Sequence, residues 1–503
     1  MSKTAISIKD LQFAYPPWSP DLEPAQIFEH LDLSITQSEE RLILSASGSG
    51  KSTLCYLLAG LAPTYTGGTL TGELRVLEQD VRARRPPPQH VGVLFQDAAT
   101  QLFTSSVEHE IAWGLETLGV PPTEIGFRVT AALRKFDLLT MRTRPPWALS
   151  GGQRKRLALA ALWAQQPEIL LLDEPLAGLD PDGRAEVRAG LEQLRTAGAT
   201  LLKTASHTDD DVPAVPVNLL EAKRLSETVA LKALPQQHLI KAGVCVPPKA
   251  WQAFAKSQST IKASPAIELR QLRFKYQDGP AVLHGLDFLI PRGQFVAIVG
   301  SNGAGKSTLV RHFNGLLRPT RGSVRVLAQD ASRRSVGELA RDVSFLFQRP
   351  ERQLFANTVR EEITYGPRQL NLPNVEDRVA RSLARFDLES LADRPPALLS
   401  YGIQRAVTLA TLTAMDTPIL VLDEPLAGLD GRGRAQLFRW LAERRAAGIT
   451  LIVVTHEMKL AAQADRMIAL CQGYVEADGT PASVLAQLDW MESTSASSSE
   501  DAP

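Results

Sequence analysis

Two kinds of hydrophobic pattern run along this chain. Near its start Ile6, Ile8, Leu11, Phe13 and Tyr15 stand among polar residues, and Ile267, Leu269, Leu272, Phe274 and Tyr276 repeat the spacing. Near-alternation of this sort predicts half-buried strands. Elsewhere the apolar runs are unbroken, at 169–172, 295–299 and 419–422. Such runs read as strands buried on both faces, as in a parallel sheet. The segment 309–317 reads as a helix, and so do the Ala- and Leu-rich segments 157–165 and 407–415. Mixed, mostly helical inserts are expected over 97–148 and 349–398. No run approaches the ~20 apolar residues of a membrane span. The first ten residues alternate apolar with polar and carry no signal-peptide core.

The pattern is written twice. The stretch from Leu171 to Asp180 returns 250 residues later at Val421 to Asp430 with only its first residue changed. Lys51 pairs with Lys306, Gln96 with Gln348, Leu149-Ser150 with Leu399-Ser400 and His207 with His456, at offsets that drift slowly. Two large copies of one domain are implied, since each exceeds the length of a solenoid repeat. The expected organisation is a first domain at 1–227, a linker at 228–265, a second domain at 266–490 and a disordered tail at 491–503. The linker reading rests on prolines, five lysines and no acids between Thr228 and Pro265, and the tail reading on its Ser-rich, acidic composition. Residues 215–227 read as a worn version of the closing strands at 466–476.

The chemistry sits beside the unbroken runs. Gly300-Ser301-Asn302-Gly303-Ala304-Gly305-Lys306-Ser307-Thr308 fits the phosphate-binding loop, entered from a buried strand and left by a helix. Glycines let backbone N–H groups turn toward phosphates, and the helix dipole adds to that field. Lys306 is expected to reach the β- and γ-phosphates and Ser307 to ligate Mg²⁺. Asp423 and Glu424 end a buried strand, where one carboxylate would hold the metal and the other orient the attacking water. Asp173 and Glu174 repeat them. His456 and His207 follow apolar strands and could contact the γ-phosphate. Leu149-Ser150-Gly151-Gly152-Gln153 opens a helix and is a second anion-binding helix start. One domain has no use for two such sites on one nucleotide. Two domains packed head-to-tail do, with each phosphate loop completed by the helix start of the other copy.

At these residues the chain resembles the ATP-binding-cassette (ABC) ATPases, and the resemblance covers nearly all of both repeats. It implies an α/β fold of two P-loop ABC nucleotide-binding domains. Each has a mostly parallel sheet core, an antiparallel β part and a helical insert, and the two form a pseudo-dimer within one chain. It implies ATP and Mg²⁺ as bound species. Tyr15 and Tyr276 would stack on adenine, Gln96 and Gln348 would sense the γ-phosphate and the membrane partner and touch the metal, and Asp180 and Asp430 would cross the dimer interface. In the first copy Ser45, Ser47, Gly48, Gly50, Lys51, Ser52 and Thr53 form the phosphate loop, with Ser52 and Asp173 toward the metal. In the second, Ser400 and Gly402 open the signature-type helix.

The copies differ at two places. Ser45 replaces the first glycine of the first phosphate loop, and Leu399-Ser400-Tyr401-Gly402-Ile403 carries Tyr401 for glycine and Ile403 for glutamine. The tyrosine is expected to obstruct or re-aim that helix end. Both departures fall in one composite site, so one hydrolytic site and one slow site are expected, against the alternative that both work.

After each glutamine the chain repeats Gln-Leu-Phe, then an acidic helix start and an aromatic-glycine pair: Gln101-Leu102-Phe103 with Trp113-Gly114, and Gln353-Leu354-Phe355 with Tyr365-Gly366. Here it is similar to the ATPases of energy-coupling-factor (ECF) importers of vitamins and metal ions. That likeness implies a transmembrane coupling subunit and a substrate-binding membrane subunit as partners, and a peripheral place on the cytoplasmic face of the membrane. Glu108, Glu110, Glu361 and Glu362 could meet basic residues of the coupling helices, or could simply favour helix starts. Thiamine-related cargo is a further implication of the fused arrangement.

Composition narrows the alternatives. Lys plus Arg and Asp plus Glu are both 55, a formal net charge of zero. That argues against a nucleic-acid-bound protein and against a ribosome-acting twin cassette, which favours a basic surface and a long charged helical linker. DNA-repair cassettes need long coiled-coil or zinc-bearing insertions, and none is present. Three scattered cysteines suit a reducing compartment.

Overall fold

The computed structural model describes residues 3–17, 23–83, 86, 90–179, 181–207, 215–277 and 279–488. The expected tail at 491–503 and Asp180 lie outside the described residues. The chain divides into two compact units, the main division falling between Val246 and Pro247.

In the first unit the opening pattern forms one long strand, Thr4–Tyr15, between Ala25–Thr36 and Thr69–Val76 in an antiparallel sheet. The spacing of three between Ile8 and Leu11 has a local cause. Asp10 takes a left-handed conformation (φ 48°) and the ladder shifts register there, so Leu11 returns to the buried face. Gln271 (φ 46°) does the same between Leu269 and Leu272 in the second unit. The unbroken run Ile169–Leu172 lies inside a parallel core, in the order Val91–Leu94, Ile169–Leu172, Thr200–Ala205, Glu40–Leu44, Pro216–Glu221. The second unit repeats it as Val343–Leu346, Ile419–Asp423, Thr450–Val454, Phe295–Val299, Arg466–Cys471, with Tyr474–Gly479 antiparallel at its edge. All residues of Ile169–Leu172 and Phe295–Val299 are fully buried, as their composition requires.

Three expected elements differ in extent. The signature-type helices run Gly151–Gln165 and Tyr401–Met415, six residues earlier than the apolar pattern suggests, so the Ser-Gly motif is their first turn. The helix after the second phosphate loop is Lys306–Val310, not 309–317; it begins at the lysine itself and gives way to turns before Gly315 (φ 75°). Residues 228–265, expected as linker, carry regular structure. Val229–Ala230 pairs with Pro216–Glu221, and the helix Gln236–Lys241 follows. Leu231, Leu234 and Leu239 pack on Leu42, Leu44, Val217 and Leu219. The helix Pro248–Ala255 belongs to the second unit, where Phe254 is fully buried and stacks on Phe438 with ring centroids 5.5 Å apart.

Candidate functional site

The second phosphate loop begins where the buried strand Phe295–Val299 ends. Gly300 has φ 142°, and a Cβ there would stand 2.1 Å from the carbonyl oxygen of Leu470. Only glycine fits. Gly303 and Gly305 are left-handed, and Gly305 caps the helix that Lys306, Ser307 and Thr308 open. Lys306 is buried and folds back along the loop, its Nζ donating to the carbonyls of Gly300 (2.8 Å) and Ser301 (2.9 Å). Asn302 and Ala304 complete the loop, with Ala304 buried.

The first loop keeps Gly48 and Gly50 left-handed, but Ser45 avoids the glycine conformation. Its side chain is fully buried and meets Ser49, its N–H donates to Ala205 O (3.1 Å), and Ser49 Oγ donates to Ala46 O (2.8 Å). Ser47 and Thr53 flank these contacts, and Thr53 meets the Tyr15 hydroxyl at 3.2 Å. Tyr276 and Thr308 make the same 3.2 Å contact in the second unit, where the tyrosine ring is 43% exposed. Lys51 Nζ donates to Ser45 O and Ala46 O (2.9 Å each) and lies 3.2 Å from Glu174 Oε1.

The carboxylate pairs are held under strain. Glu174 (φ 47°) and Glu424 (φ 50°) are both left-handed, a conformation that costs such residues of order 1–3 kcal/mol. Glu424 N is fixed by Val454 O at 2.9 Å and Glu174 N by Thr204 Oγ1 at 3.0 Å. Around the aspartates the copies part. Asp173 is satisfied at both oxygens, by Thr204 Oγ1 (2.8 Å) and by Ser52. Asp423 is buried and accepts from Ser307, but its Oδ1 has no hydrogen-bond partner among the described residues. Burial, with the charge of Glu424 adding to it, pushes its carboxyl up to about 6. An orphaned, desolvated carboxylate oxygen beside a serine hydroxyl suits a hard divalent cation.

Glu424 takes His456 Nδ1 at 3.0 Å, leaving Nε2 buried with no hydrogen-bond partner among the described residues. In the first unit Glu174 is surrounded by Lys51, by Gln96 Nε2 (3.3 Å) and by Ser206 Oγ (3.3 Å), and burial raises its carboxyl above the usual range. Strand register explains the serine. Lys203 pairs with Leu172 as Val453 pairs with Leu422, which brings Ser206 level with His456 and His207 one residue beyond. His207 lines a cavity that also touches Glu174.

The helix starts differ as well. Ser150 caps its helix in a reciprocal box with Gln153: Gln153 N to Ser150 Oγ at 3.3 Å and Ser150 N to Gln153 Oε1 at 3.0 Å. A Cβ at Gly151 would meet nothing within 4 Å, so that glycine is not needed for packing, and Gly152 is nearly as free. Ser400 has backbone angles close to those of Ser150, so Tyr401 does not re-aim the helix. The box is lost because Ile403 cannot close it, and Ser400 Oγ is buried without a partner among the described residues. Gly402 follows in the first turn, and Asp430 lies between the turn after Glu424 and the helix Gly431–Ala446.

Two of the four acids proposed to meet a partner are unavailable to it. Glu110 is buried and accepts from Phe103 N (3.1 Å), Thr104 N (2.9 Å) and Thr104 Oγ1 (2.8 Å). Glu362 is buried and accepts from Phe355 N (2.9 Å) and Ala356 N (2.8 Å). Glu108 pairs with Arg142, and Glu361 is exposed. The glutamates fold the Gln-Leu-Phe turns so that aromatic pairs stand out. Phe103 and Trp113 meet edge-on at 5.4 Å, Phe355 and Tyr365 at 4.8 Å. In each pair the phenylalanine is 64% and its neighbour 50% exposed.

Two nucleotide-binding units with duplicated phosphate loops, strand-end carboxylates and serine-capped helix starts define a class. The chain belongs to the ABC transporter family, whose model matches residues 28–177 and 283–427, and it is an ABC-type ATPase that binds ATP. It is 31% identical to a protein of Caldanaerobacter subterraneus subsp. tengcongensis named as an ABC transporter ATP-binding protein, over 95% of this chain and 92% of that one. It is 30% identical to a Bacillus subtilis protein named as the HMP/thiamine import ATP-binding protein YkoD, over 96% and 92%. Among solved structures, cbiO1 from Clostridium perfringens, described as part of the ABC transporter complex cbiONQ, aligns at 33% identity. It covers 46% of this chain and 94% of that one with a TM-score of 0.41. Among the described residues no helix is long and apolar enough to cross a membrane.

Proposed function

We propose that this chain is the ATP-hydrolysing subunit of an ECF-type importer, working on the cytoplasmic face of the membrane, and that its cargo is thiamine or a related pyrimidine. Many ABC assemblies share the nucleotide chemistry. The observation that favours an importer is the exposed aromatic pair on each cassette, Phe103 with Trp113 and Phe355 with Tyr365. Paired exposed aromatics at equivalent places mark binding surfaces. They offer apolar faces to helices of a transmembrane coupling subunit, which a separate substrate-binding membrane subunit accompanies. The thiamine class is supported by the name of the B. subtilis relative.

Hydrolysis in this proposal falls chiefly at the second phosphate loop. Glu424 holds the attacking water and takes the load of orienting it, His456 steadies Glu424, and Lys306 leaves its loop carbonyls for phosphate oxygens. Ser307, Gln348 and Asp423 would hold Mg²⁺, with Ser52, Gln96 and Asp173 as their first-cassette counterparts. The bound ion would neutralise phosphate charge. In the first cassette Glu174 is held by Lys51 and flanked by Ser206, which favours slow turnover there.

The test uses the chain assembled with its membrane subunits. Glu424→Gln is expected to abolish ATPase activity and uptake of labelled thiamine, and Glu174→Gln to leave a substantial part of both. Equal losses would remove the asymmetry, and unchanged thiamine uptake in Glu424→Gln would remove the cargo assignment.

A further inference from the structure

Tyr401, which stands where the first cassette has Gly151, does not point away from its own unit. Its ring lies against Gly428, where an added Cβ would come within 2.2 Å of the ring. Its hydroxyl donates to the backbone carbonyl of Gln348 at 3.0 Å. One helical turn on, Arg405 is fully buried. It donates to Phe347 O (2.5 Å) and to Gln348 O, and reaches the Tyr401 hydroxyl (3.3 Å) and Glu424 O (3.5 Å). The guanidinium also lies 5.8 Å from the tyrosine ring centre.

The first cassette places a different cation in the same turn. Lys155 donates to Glu174 O (3.1 Å), Pro175 O (3.0 Å) and Ala177 O (2.9 Å). There the helix is tied to the turn after the catalytic glutamate. In the second cassette the glycine-to-tyrosine and lysine-to-arginine changes act together. A planar fork with five donors reaches two carbonyls that an ammonium beside a glycine would not reach. The helix is thereby tied to the Gln348 turn, with a looser hold on Glu424.

We propose that Tyr401, backed by Arg405, is a positioning residue for ATP hydrolysis in its own cassette, fixing the turn that carries Gln348. This rests on the reading of the Lys306 loop as the hydrolytic one. The two Nη groups of Arg405 are both met, while its Nε has no partner among the described residues, so it is the Nη fork that sets the Gln348 turn against the Glu424 turn. The substitution that removes a glycine from the helix start thus supplies a hydroxyl to the neighbouring site.

The experiment compares Tyr401→Phe and Tyr401→Gly with the parent chain in the assembled complex, with Glu424→Gln as reference. Loss of one hydrogen bond predicts a ~5-fold fall in kcat for Tyr401→Phe with KM for ATP unchanged. Amide hydrogen exchange should rise across 347–352 and stay level in 419–422, which separates loss of positioning from loss of fold. Tyr401→Gly should depart further from the parent on both measures, with lower kcat and faster exchange across 347–352. Parental kcat or exchange in Tyr401→Phe, or faster turnover in Tyr401→Gly, overturns the proposal. Activity persisting in Glu424→Gln would instead overturn the choice of hydrolytic loop.

Discussion

Asp423 shows how a residue can be legible in kind and hidden in state. Its place at the end of an apolar run predicts a metal-side carboxylate, and the strand Ile419–Asp423 delivers it there. Its orphaned oxygen and raised pKa depend on what surrounds it, which no run of letters states. Thr204 satisfies Asp173, and the matching residue in the second cassette, Val454, has no hydroxyl to offer. A carboxyl near 6 when folded and 3.8 when free binds its proton more tightly in the folded state. Stability from this group is therefore lost as pH rises through that window, at a full cost of about 3 kcal/mol above it. Asp423→Asn should raise the Tm of the nucleotide-free protein at pH 8 and leave it near parental at pH 4. Thermal scans at the two pH values decide it, and equal shifts at both would contradict the account. Ser206 was not legible, because one inserted residue before His207 can be placed only by strand register. Arg405 was not legible either, since an arginine in a helix pattern gives no sign that it is fully buried.

Among the elements, the helix Pro248–Ala255 is where composition misleads. Prolines and lysines suggest a bare connection, and eight residues are too few for a firm helical period. Its apolar face is nonetheless used. Phe254 stacks on Phe438 and meets Phe295 at a tilt of 54°, and Trp251 meets Phe438 edge-on at 4.9 Å. Among the described residues the first cassette has no matching filling. Glu40 and Arg188 stand where Phe295 and Phe438 stand, at the start of the strand and eighth in the helix, and they line a cavity of about 410 Å³. Phe254→Ala should therefore destabilise the second unit by about 3–5 kcal/mol. Urea unfolding followed by exchange in each unit should show the loss in 295–299 and not in 40–44. An unchanged midpoint would mean the helix rests on the unit without supporting it. The parallel strands 169–172, 295–299 and 419–422, by contrast, were legible, because burial on both faces leaves them no polar positions. Glu40–Leu44, Thr200–Ala205 and Pro216–Glu221 carry Arg41, Lys203 and Asn218 and gave no unbroken run.

At the scale of the whole molecule, duplication was the strongest message in the sequence, and it also supplied an internal control. Any feature present in both copies has been kept through two sets of local differences, and any feature present in one has a matched site for comparison. By that measure the buried glutamates Glu110 and Glu362 are architecture: each folds the same turn by accepting backbone N–H groups, so their charge is spent inside the cassette. The aromatic pairs they project are also duplicated, yet at least half exposed, and bury little within their own unit. Exposed aromatic area held at two equivalent places is costly to solubility unless a partner covers it. Replacing Phe103 and Trp113 with serine should weaken capture of the membrane subunits, and replacing Phe355 and Tyr365 should do the same. Changing all four should abolish capture, because two contacts on one chain reinforce each other beyond their separate strengths. Co-purification from detergent-solubilised membranes measures this directly. Full capture by the fourfold variant would show that the aromatic pairs are not the docking surface, and would leave Glu108 and the exposed Glu361 as the remaining expected contacts.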